Sequence, residues 1–401
     1  MNFTSFKLSF FAVCLTPALA LAQLPANQLQ LNTITTAVPL LMVSPDARAA
    51  SLGDAGGAME ADANSIHWGA AKLASAKDKM SVSLSYVPWL RALVPDINLA
   101  YLSFYKKFKK DQAFGGSLRY FSLGNIVFTD QQGNTIGQFS PNELAIDGAY
   151  SRKLTQRWYG GFAMRYIFSN LTGGIDVQGT QSNAGQSVAG DISAYYENTD
   201  IRVKGKKAVY ALMIAATNIG QKISYTSLAN RDFIPSNLRI GNRLKIQSDE
   251  YSSFSFLFDI NKLLVPSPPV RDAGNNVVFG KENQVSVVQG IFQSFSDAPG
   301  LIETGTTNRG SRGAEEWKEV NLCGGFEYDY NNTFAIRAGY FHEAPQKGNR
   351  RFVTLGAGLR FNVFKLDFSY LIPVQQQNPL ANTLRFTLQF NFANAQPSGK
   401  N

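Results

Sequence analysis

The chain has 401 residues, of which 17% are charged, 44% hydrophobic and 12% aromatic, and its formal net charge is +9. Soluble domains usually carry about 25% charged residues, so this composition argues against a typical soluble enzyme. Two histidines leave little material for histidine-based metal sites or acid–base chemistry. After the N-terminal two dozen residues, the longest apolar run (209–216) is far short of a membrane-spanning helix, which excludes a multi-helix membrane protein.

The N-terminus predicts a secretory signal peptide over 1–22. Lys7 supplies the positive end, 8–15 the apolar centre, and Ala-Leu-Ala at 20–22 the cleavage site. A buried N-terminal helix is the alternative, and the small-x-small ending favours cleavage. Cleavage would leave Cys323 as the sole cysteine, so the mature chain would have no intramolecular disulfide.

Hydrophobic residues alternate strictly with polar ones over long stretches of the chain. In 383–392, for example, Leu384, Phe386 and Leu388 occupy one phase, whereas Arg385 and Thr387 occupy the other. A period of two over nine or ten residues predicts a β-strand long enough to cross a bilayer at a tilt. A soluble β-sandwich is the alternative, but its strands are usually nearer five or six residues.

The same pattern predicts an all-β transmembrane antiparallel β-barrel over 80–392. We expect fourteen strands, at 80–87, 97–108, 112–121, 143–153, 157–168, 188–197, 207–217, 236–247, 252–261, 318–329, 333–342, 351–361, 364–372 and 383–392. Long and short connections alternate between them, as expected for the outer loops and periplasmic turns of an outer-membrane barrel. The remaining 393–401 form a polar tail.

Residues 23–79, before the first strand, show no alternation. They are rich in small residues, which allow close backbone packing, and 62–73 could form a short helix. We therefore predict an N-terminal plug inside the barrel. A disordered periplasmic arm is the alternative, which the apolar stretches disfavour.

Several motifs resemble one known family, the PorV (LptO) outer-membrane barrels of the type IX secretion system of Bacteroidetes, within the wider long-chain fatty-acid transporter (FadL-like) barrels. The motifs are SPDARAASLGDAGGA at 44–58, DANSIHW at 62–68, AKL at 71–73, GAYSRKL at 148–154, TNIG at 217–220, KISY at 222–225, FIPSNL at 233–238 and NKLLVP at 261–266. The family usually has Asn-Pro where this chain has Gly69 and Ala70.

The resemblance implies a fourteen-stranded barrel in the bacterial outer membrane, with no enzymatic activity and no cofactor or metal. It implies binding of exported proteins through their C-terminal domain, transfer from the SprA (Sov) translocon, and delivery to the PorU attachment complex. Two alternatives stay open. A transporter of fatty acids or other hydrophobic small molecules would need an apolar path through the lumen and a break in the strand wall.

A lipid A deacylase is the second alternative, and it would need a nucleophile near His342. Strand parity instead places His342 on the apolar phase with Phe334 and Ile336, which favours an interfacial residue over a catalytic base. The other histidine, His67, lies beside Trp68 and is predicted to pack within the plug.

The connection 262–317 is the longest of the chain, and loops of this length are usually functional. It opens with a proline-rich run, and proline lowers the ordering cost of binding a partner. Its middle is apolar, which is unusual for an exposed surface. We predict partner binding here, by Pro266, Pro268, Pro269, Val285, Val287, Ile291, Phe292 and Phe295.

Basic residues 106–110 fall at a predicted periplasmic turn. Contact with outer-membrane lipid (phospholipid or lipopolysaccharide phosphates) or simple solvation is favoured over a specific acidic partner, and a secreted barrel meets no nucleic acid. Charged residues on the inner phase predict a polar lumen, and the segment 23–79 favours their pairing with a plug over an open channel. They are Arg119, Arg165, Glu327, Arg337, Arg360, Lys365, Asp367 and Arg385.

Overall fold

The computed structural model describes residues 30–90, 94, 96–129, 132, 135–174, 176–177, 180–226, 231–301, 309–375 and 378–392. The predicted signal peptide and polar tail lie outside these residues. Its strands are β1 (Met80–Pro88), β2 (Ile97–Lys109), β3 (Gln112–Leu123), β4 (Ile126–Thr129), β5 (Thr135–Phe139), β6 (Asn142–Lys153), β7 (Trp158–Asn170), β8 (Asp176–Val177), β9 (Thr180–Gln181), β10 (Gly185–Val203), β11 (Lys206–Gly220), β12 (Asn237–Gln247), β13 (Ser252–Leu263), β14 (Val270–Arg271), β15 (Val277–Phe279), β16 (Val320–Tyr330), β17 (Phe334–His342), β18 (Arg351–Phe361), β19 (Phe364–Pro373) and β20 (Thr383–Phe392).

Fourteen of these strands form one closed antiparallel barrel, in the order β1, β2, β3, β6, β7, β10, β11, β12, β13, β16, β17, β18, β19, β20. Strand β20 pairs back onto β1, for example Leu388 with Leu84, so the sheet has no free edge. The predicted fold and strand number are confirmed. The other six strands form three hairpins within the long connections: β4–β5, β8–β9 and β14–β15.

The predicted alternation places apolar side chains outside and polar ones inside. In β20, Phe386 is 42% exposed on the outer surface, whereas Arg385 next to it is 1% exposed and faces the lumen. An outward apolar surface suits hydrocarbon, and closure pairs the backbone groups that lipid could not satisfy.

The greatest difference from the predicted strands lies at β10 and β11. A nine-residue connection was expected at 198–206, but the two strands continue to a two-residue turn of Lys204 and Gly205. Both turn residues have positive φ, as this kind of tight hairpin requires. A register shift between Asn198 and Ile201 interrupts the alternation, which hid the end of the hairpin from the sequence.

Helices are short: α1 (Ala47–Ala50), α2 (Ser65–Trp68), α3 (Val287–Gln293) and α4 (Arg312–Lys318), with 3-10 turns at Pro39–Met42, Ala70–Ser75 and Pro345–Lys347. None in the described part of the chain has the length and hydropathy of a membrane span. The helix expected at 62–73 is two turns broken at Gly69, where φ is +153° and a Cβ would lie 2.8 Å from Met213. A side chain at this position would adopt an unfavourable φ and displace the end of the Met213 side chain.

The described N-terminal residues run through the lumen from the long-loop end to the short-turn end. The Ala37 amide donates to the Phe233 carbonyl in an outer loop, at 2.9 Å. Further along, the Ala47 amide donates to Thr387 Oγ1 in β20 at 2.8 Å, and the Ala71 amide to Ser193 Oγ in β10 at 2.9 Å. This segment is thus hydrogen-bonded to opposite sides of the barrel.

Glycines on the inner surface allow the segment to approach the wall closely. A Cβ on Gly339 in β17 would lie 2.1 Å from the Gly53 nitrogen, and one on Gly161 in β7 would lie 2.4 Å from the Ala71 nitrogen. These positions therefore require glycine for packing.

We expect Gly339→Ala to destabilise the folded protein by roughly 1–3 kcal/mol, because the added methyl group overpacks the lumen. The measurement is the temperature at which the compact, heat-modifiable band is lost on gel electrophoresis. Gly324→Ala in neighbouring β16 is the matched control, since a Cβ there has no heavy atom within 4 Å. Equal melting of the two variants would contradict the packing described here.

Candidate functional site

A cavity of about 590 Å³ lies in the half of the lumen nearest the long loops. Its lining includes Leu90, Leu123 and Leu263 near the outer ends of the strands, and Thr33 to Thr36 of the N-terminal segment. Aromatic and aliphatic walls combine with charged groups deeper in the lumen. Such a mixed concave surface can hold an apolar body and orient its polar groups.

Arginines lie at the inner end of this cavity, and two of them, Arg239 and Arg385, belong to its lining. Arg239 stacks 4.6 Å from the Trp68 ring, and Arg385 lies 5.6 Å from the Trp89 ring. Arg119 contacts His67 Nδ1 at 2.8 Å. Within the described residues none of these three guanidinium groups forms a salt bridge, but Asp259 lies near Arg239 and Asp54 lines the cavity together with Arg385, so carboxyl groups offset part of the positive charge.

His67 is buried, and its ring packs edge-on against Trp68 with centroids 4.7 Å apart. It also touches the Arg119 guanidinium, as above. Both contacts agree with the prediction that His67 packs within the N-terminal segment.

A second, more polar cavity of about 240 Å³ opens at the short-turn end, with Lys77 and Arg360 in its lining. No residue lines both cavities. In the lining of the second cavity, Arg48 of α1 pairs with Glu327 at 3.0 Å, and Arg337 pairs with Glu327 at 2.5 Å and with buried Asp367 at 2.8 Å. The predicted inner-phase charges therefore meet each other and the N-terminal segment.

We expect no steady porin-scale conductance from the intact protein in planar bilayers, because the two cavities are separated by packed, ion-paired residues. Single-channel recording measures this directly, with a general porin under the same salt and voltage as the control. Long-lived open currents from the intact chain would show that the N-terminal segment leaves a continuous water path.

The strand wall departs from regularity near the outer cavity, at Asn218 in β11. Asn218 has a φ of +57°, and its amide donates to Asp191 Oδ1 at 2.6 Å across a register shift with β10. Arg165 pairs with Asp191 at 3.1 Å and with Asp147 at 2.5 Å. Since β10 and β11 stay paired on both sides, this is a bulge filled by buried polar groups and not a gap in the wall.

An ionic cluster joins the outer connections. Lys262 at the end of β13 contacts Glu316 at 3.2 Å and Glu319 at 2.8 Å. Lys347, in the connection between β17 and β18, contacts Glu315 at 2.6 Å and Glu319 at 2.9 Å. The cluster thus fixes α4 to two neighbouring connections.

Asn32 extends this cluster to the N-terminal segment. Its side chain donates to Glu315 Oε1 at 2.9 Å, and its amide donates to the Gln346 carbonyl at 2.9 Å. The outer loops and the N-terminal segment therefore form one structured surface.

Two carboxyl groups of this surface titrate away from their ordinary ranges. Although burial acts to raise it, Lys262 and Lys347 hold the pKa of Glu319 below its usual value. Burial, with help from Glu316 and Glu319, raises the pKa of Asp297 to about 6. The cluster consequently keeps Glu319 ionised at neutral pH, while Asp297 gains a proton in mildly acidic solution.

The predicted partner-binding residues divide into buried and exposed sets. Pro266 is buried, and Pro268, Pro269, Val285, Val287 and Ile291 are half-buried. Phe292 and Phe295 are 74% and 49% exposed. Only the last two are freely available to a partner in this conformation.

The helix α3 explains this division. Its Gly290 is buried, with Phe233 and Pro266 about 3 Å from where a Cβ would stand. Val288 and Phe292 are four residues apart and so share the opposite, exposed face of the helix, and Phe295, two residues past its end, is exposed as well. Val288 is 65% exposed and belongs to the same apolar run, so a helical reading of 285–295 would have found it.

Trp317 in α4 is 78% exposed, and no sequence pattern singled it out. His342 lies at the outer end of β17, with its Nδ1 3.4 Å from the Tyr340 hydroxyl oxygen. Among the described residues there is no group of three or more metal-ligating side chains.

The model of one protein family, the type IX secretion system protein PorV, matches residues 26–270. The chain belongs to the PorV family. The family predicted from the motifs is thus confirmed, and with the closed fourteen-stranded wall it places the protein in the bacterial outer membrane. A role in type IX secretion follows from membership of the PorV family. The long connections then face the cell exterior and the short turns the periplasm.

Solved structures with a similar course of the chain include toluene transporters. The transporter TbuX of Ralstonia pickettii shares 11% identity over 86% of this chain and 98% of its own, with a TM-score of 0.47. The transporter TodX of P. putida shares 13% identity over 86% and 98%, with a TM-score of 0.46. A FadL homologue of Pseudomonas aeruginosa shares 11% over 90% and 100%, with a TM-score of 0.42. Comparison with curated proteins gives no match.

Proposed function

We propose that this PorV-family barrel is an adaptor without enzymatic activity. It binds the C-terminal domain of exported proteins at the cell surface, takes them from the SprA translocon, and delivers them to the PorU attachment complex. The match to the PorV family over 26–270 is the observation that carries this proposal.

The outer surface supports it physically. The helix α3 presents Val288 and Phe292 to solvent, and Phe295 just after the helix is exposed as well; exposed apolar surface of this kind usually marks a binding site. Gly290 and the ionic cluster hold α3 and α4 in place. A partner that docks on a preformed surface loses less conformational entropy than one that must order a loop.

The cavity beneath the outer surface supplies a second surface for the same partner. It combines apolar walls with Arg239 and Arg385 at its inner end, where Asp54 also belongs to the lining. A chain segment with apolar side chains and a negative charge would complement it. We expect the exposed face of α3 to contribute more to partner binding than the cavity does, because a partner can reach α3 without entering the lumen.

The transporter alternative receives less support from the lumen. It requires a continuous apolar path or a lateral opening, whereas the outer cavity ends at Asp54, His67 and Trp68 of the N-terminal segment. The irregularity at Asn218 is filled by Arg165 and Asp191. Passage of a small molecule would require these packed groups to move.

We expect the double substitution Val288→Asp and Phe292→Asp to impair secretion while leaving the barrel folded, because both side chains point into solvent. Exported proteins with the C-terminal domain should accumulate in the periplasm or be released unattached. Immunoblots of periplasm, cell surface and medium measure this, and co-purification with SprA measures docking.

Val278→Asp is the matched control, since Val278 is 50% exposed in the same connection but lies in the β14–β15 hairpin. Normal secretion by the double variant would exclude α3 as the docking site. Normal secretion in cells that lack the protein altogether would overturn the proposed function itself.

Absence of enzymatic activity is part of the proposal and rests on the placement of His342. Its side chain lies on the outer surface of β17 beside Tyr340, with ring centroids 6.2 Å apart. A residue there suits the membrane interface.

We expect His342→Gln to leave the acylation pattern of lipid A unchanged, because the residue performs no chemistry. Mass spectrometry of lipid A from cells that carry the variant, compared with wild-type cells, tests this. Loss of a deacylated species while the barrel remains heat-modifiable would instead support the deacylase alternative.

A further inference from the structure

Basic residues at the periplasmic end cluster at three consecutive turns of the barrel, although Arg360 and Lys365 flank the turn from β18 to β19 on another side. The turns from β2 to β3, β6 to β7 and β10 to β11 carry most of them: Lys106, Lys109, Lys110, Arg152, Lys204 and Lys207. The turns from β12 to β13 and from β16 to β17 carry Asp249, Glu250 and Asp329 instead. The positive charge at this end is therefore distributed unevenly around the barrel.

Two of these basic residues lie on the lipid-facing phase of their strands. Lys106 shares that phase of β2 with Phe104 and Phe108, which are 40% and 47% exposed. Arg152 shares that phase of β6 with Ile146, which is 46% exposed. Both charged side chains are exposed, and within the described residues neither forms a salt bridge.

A row of aromatic side chains crosses the wall at the same depth. Lys106 pairs with Phe114, Phe114 with Tyr150, and Tyr150 with Phe162 across four adjacent strands. The Phe108 ring lies 6.0 Å from Phe114, and Tyr150 lies 5.7 Å from Phe162. Aromatic rings at this level mark the boundary between hydrocarbon and headgroups.

The next row of outward-facing residues, towards the membrane centre, includes two glycines. It contains the paired Gly116 and Gly148. The Phe104 ring covers Gly116, 2.8 Å from where a Cβ would stand, whereas a Cβ added to Gly148 would meet no heavy atom within 4 Å. Ile146 and Met164, which are 46% and 62% exposed, stand above Gly148. The wall therefore has a shallow apolar depression at Gly148, above the aromatic row.

We propose that this wall of β2, β3, β6 and β7 is a binding site for one anionic phospholipid of the inner leaflet. Lys106 and Arg152 bind the phosphate-bearing headgroup, the aromatic row packs against the glycerol region, and an acyl chain lies over Gly148 beside the Phe104 ring. The site is independent of the proposed secretion function.

A lipid is favoured over an acidic periplasmic protein because of where the two charges point. Such a protein would meet the tips of the turns, whereas Lys106 and Arg152 project from the wall beside Phe114 and Tyr150. Cationic side chains near an anionic lipid surface each add attraction. A single phospholipid can therefore bind both cationic side chains through its headgroup and contact the apolar wall through its acyl chains.

Trp158 provides a reporter, because it lies at the periplasmic end of β7, is 39% exposed, and stands 5.1 Å from the Tyr196 ring. The full protein carrying Trp317→Phe, which removes the exposed tryptophan of the outer loop, is reconstituted into vesicles. These contain brominated phosphatidylglycerol or brominated phosphatidylcholine at equal mole fraction. We expect quenching to show a preference for phosphatidylglycerol of about fivefold per engaged charge at most.

In the double variant Lys106→Gln and Arg152→Gln, the preference for phosphatidylglycerol over phosphatidylcholine should fall close to one. The matched control, Arg360→Gln, removes a charge from the periplasmic end on the other side of the barrel and should retain it. The heat-modifiable band confirms folding in each case. Equal quenching by the two lipids in the unaltered site, or full preference in the double variant, would overturn the proposal.

Discussion

Backbone hydrogen bonding in hydrocarbon is the constraint on which the whole structure depends. An unpaired amide or carbonyl in lipid costs several kcal/mol, so a strand wall must close on itself. Pairing of β20 with β1 meets this requirement, and it fixes the register of every strand between them. With the register fixed, each strand has one phase for lipid and one for the lumen, and side chains cannot exchange between them without shifting the sheet.

Closure of the wall pairs the backbone groups, but it leaves charged side chains in the lumen that also need partners. Inner-phase charges such as Glu327 and Asp259 leave lipid but enter a confined lumen, where each needs a partner. The N-terminal segment supplies these partners, with Arg48 for Glu327 and the Gly57 amide for Asp259 at 2.6 Å. Glycines at 161 and 339 bring its backbone close enough for such contacts. The lumen and the segment are therefore complementary, and neither is fully satisfied alone.

The sequence predicted the wall well because lipid and lumen impose opposite demands on neighbouring residues, and that difference repeats every two positions. It did not predict the outer surface. The position of α3 depends on its packing against Phe233 from another loop. The ionic cluster joins residues far apart in the chain, namely Asn32, Lys262, Glu315 and Lys347. Contacts of this kind leave no periodic signal, so the apolar run 285–295 was recognised as a surface without its helix or its buried Pro266.

The same division explains where the molecule can carry function. The wall cannot vary its backbone, so specificity must come from what projects from it: the outer surface and the periplasmic rim. On the outer side, contacts between loops replace the constraint that lipid imposes elsewhere: the ionic cluster fixes α4, and packing of Gly290 against Phe233 and Pro266 holds α3 with Phe292 exposed in water. At the rim, Lys106 and Arg152 use the strand phase itself to face lipid. A rigid barrel therefore presents two different surfaces, one formed by long-range contacts between loops and the other by the register of the sheet.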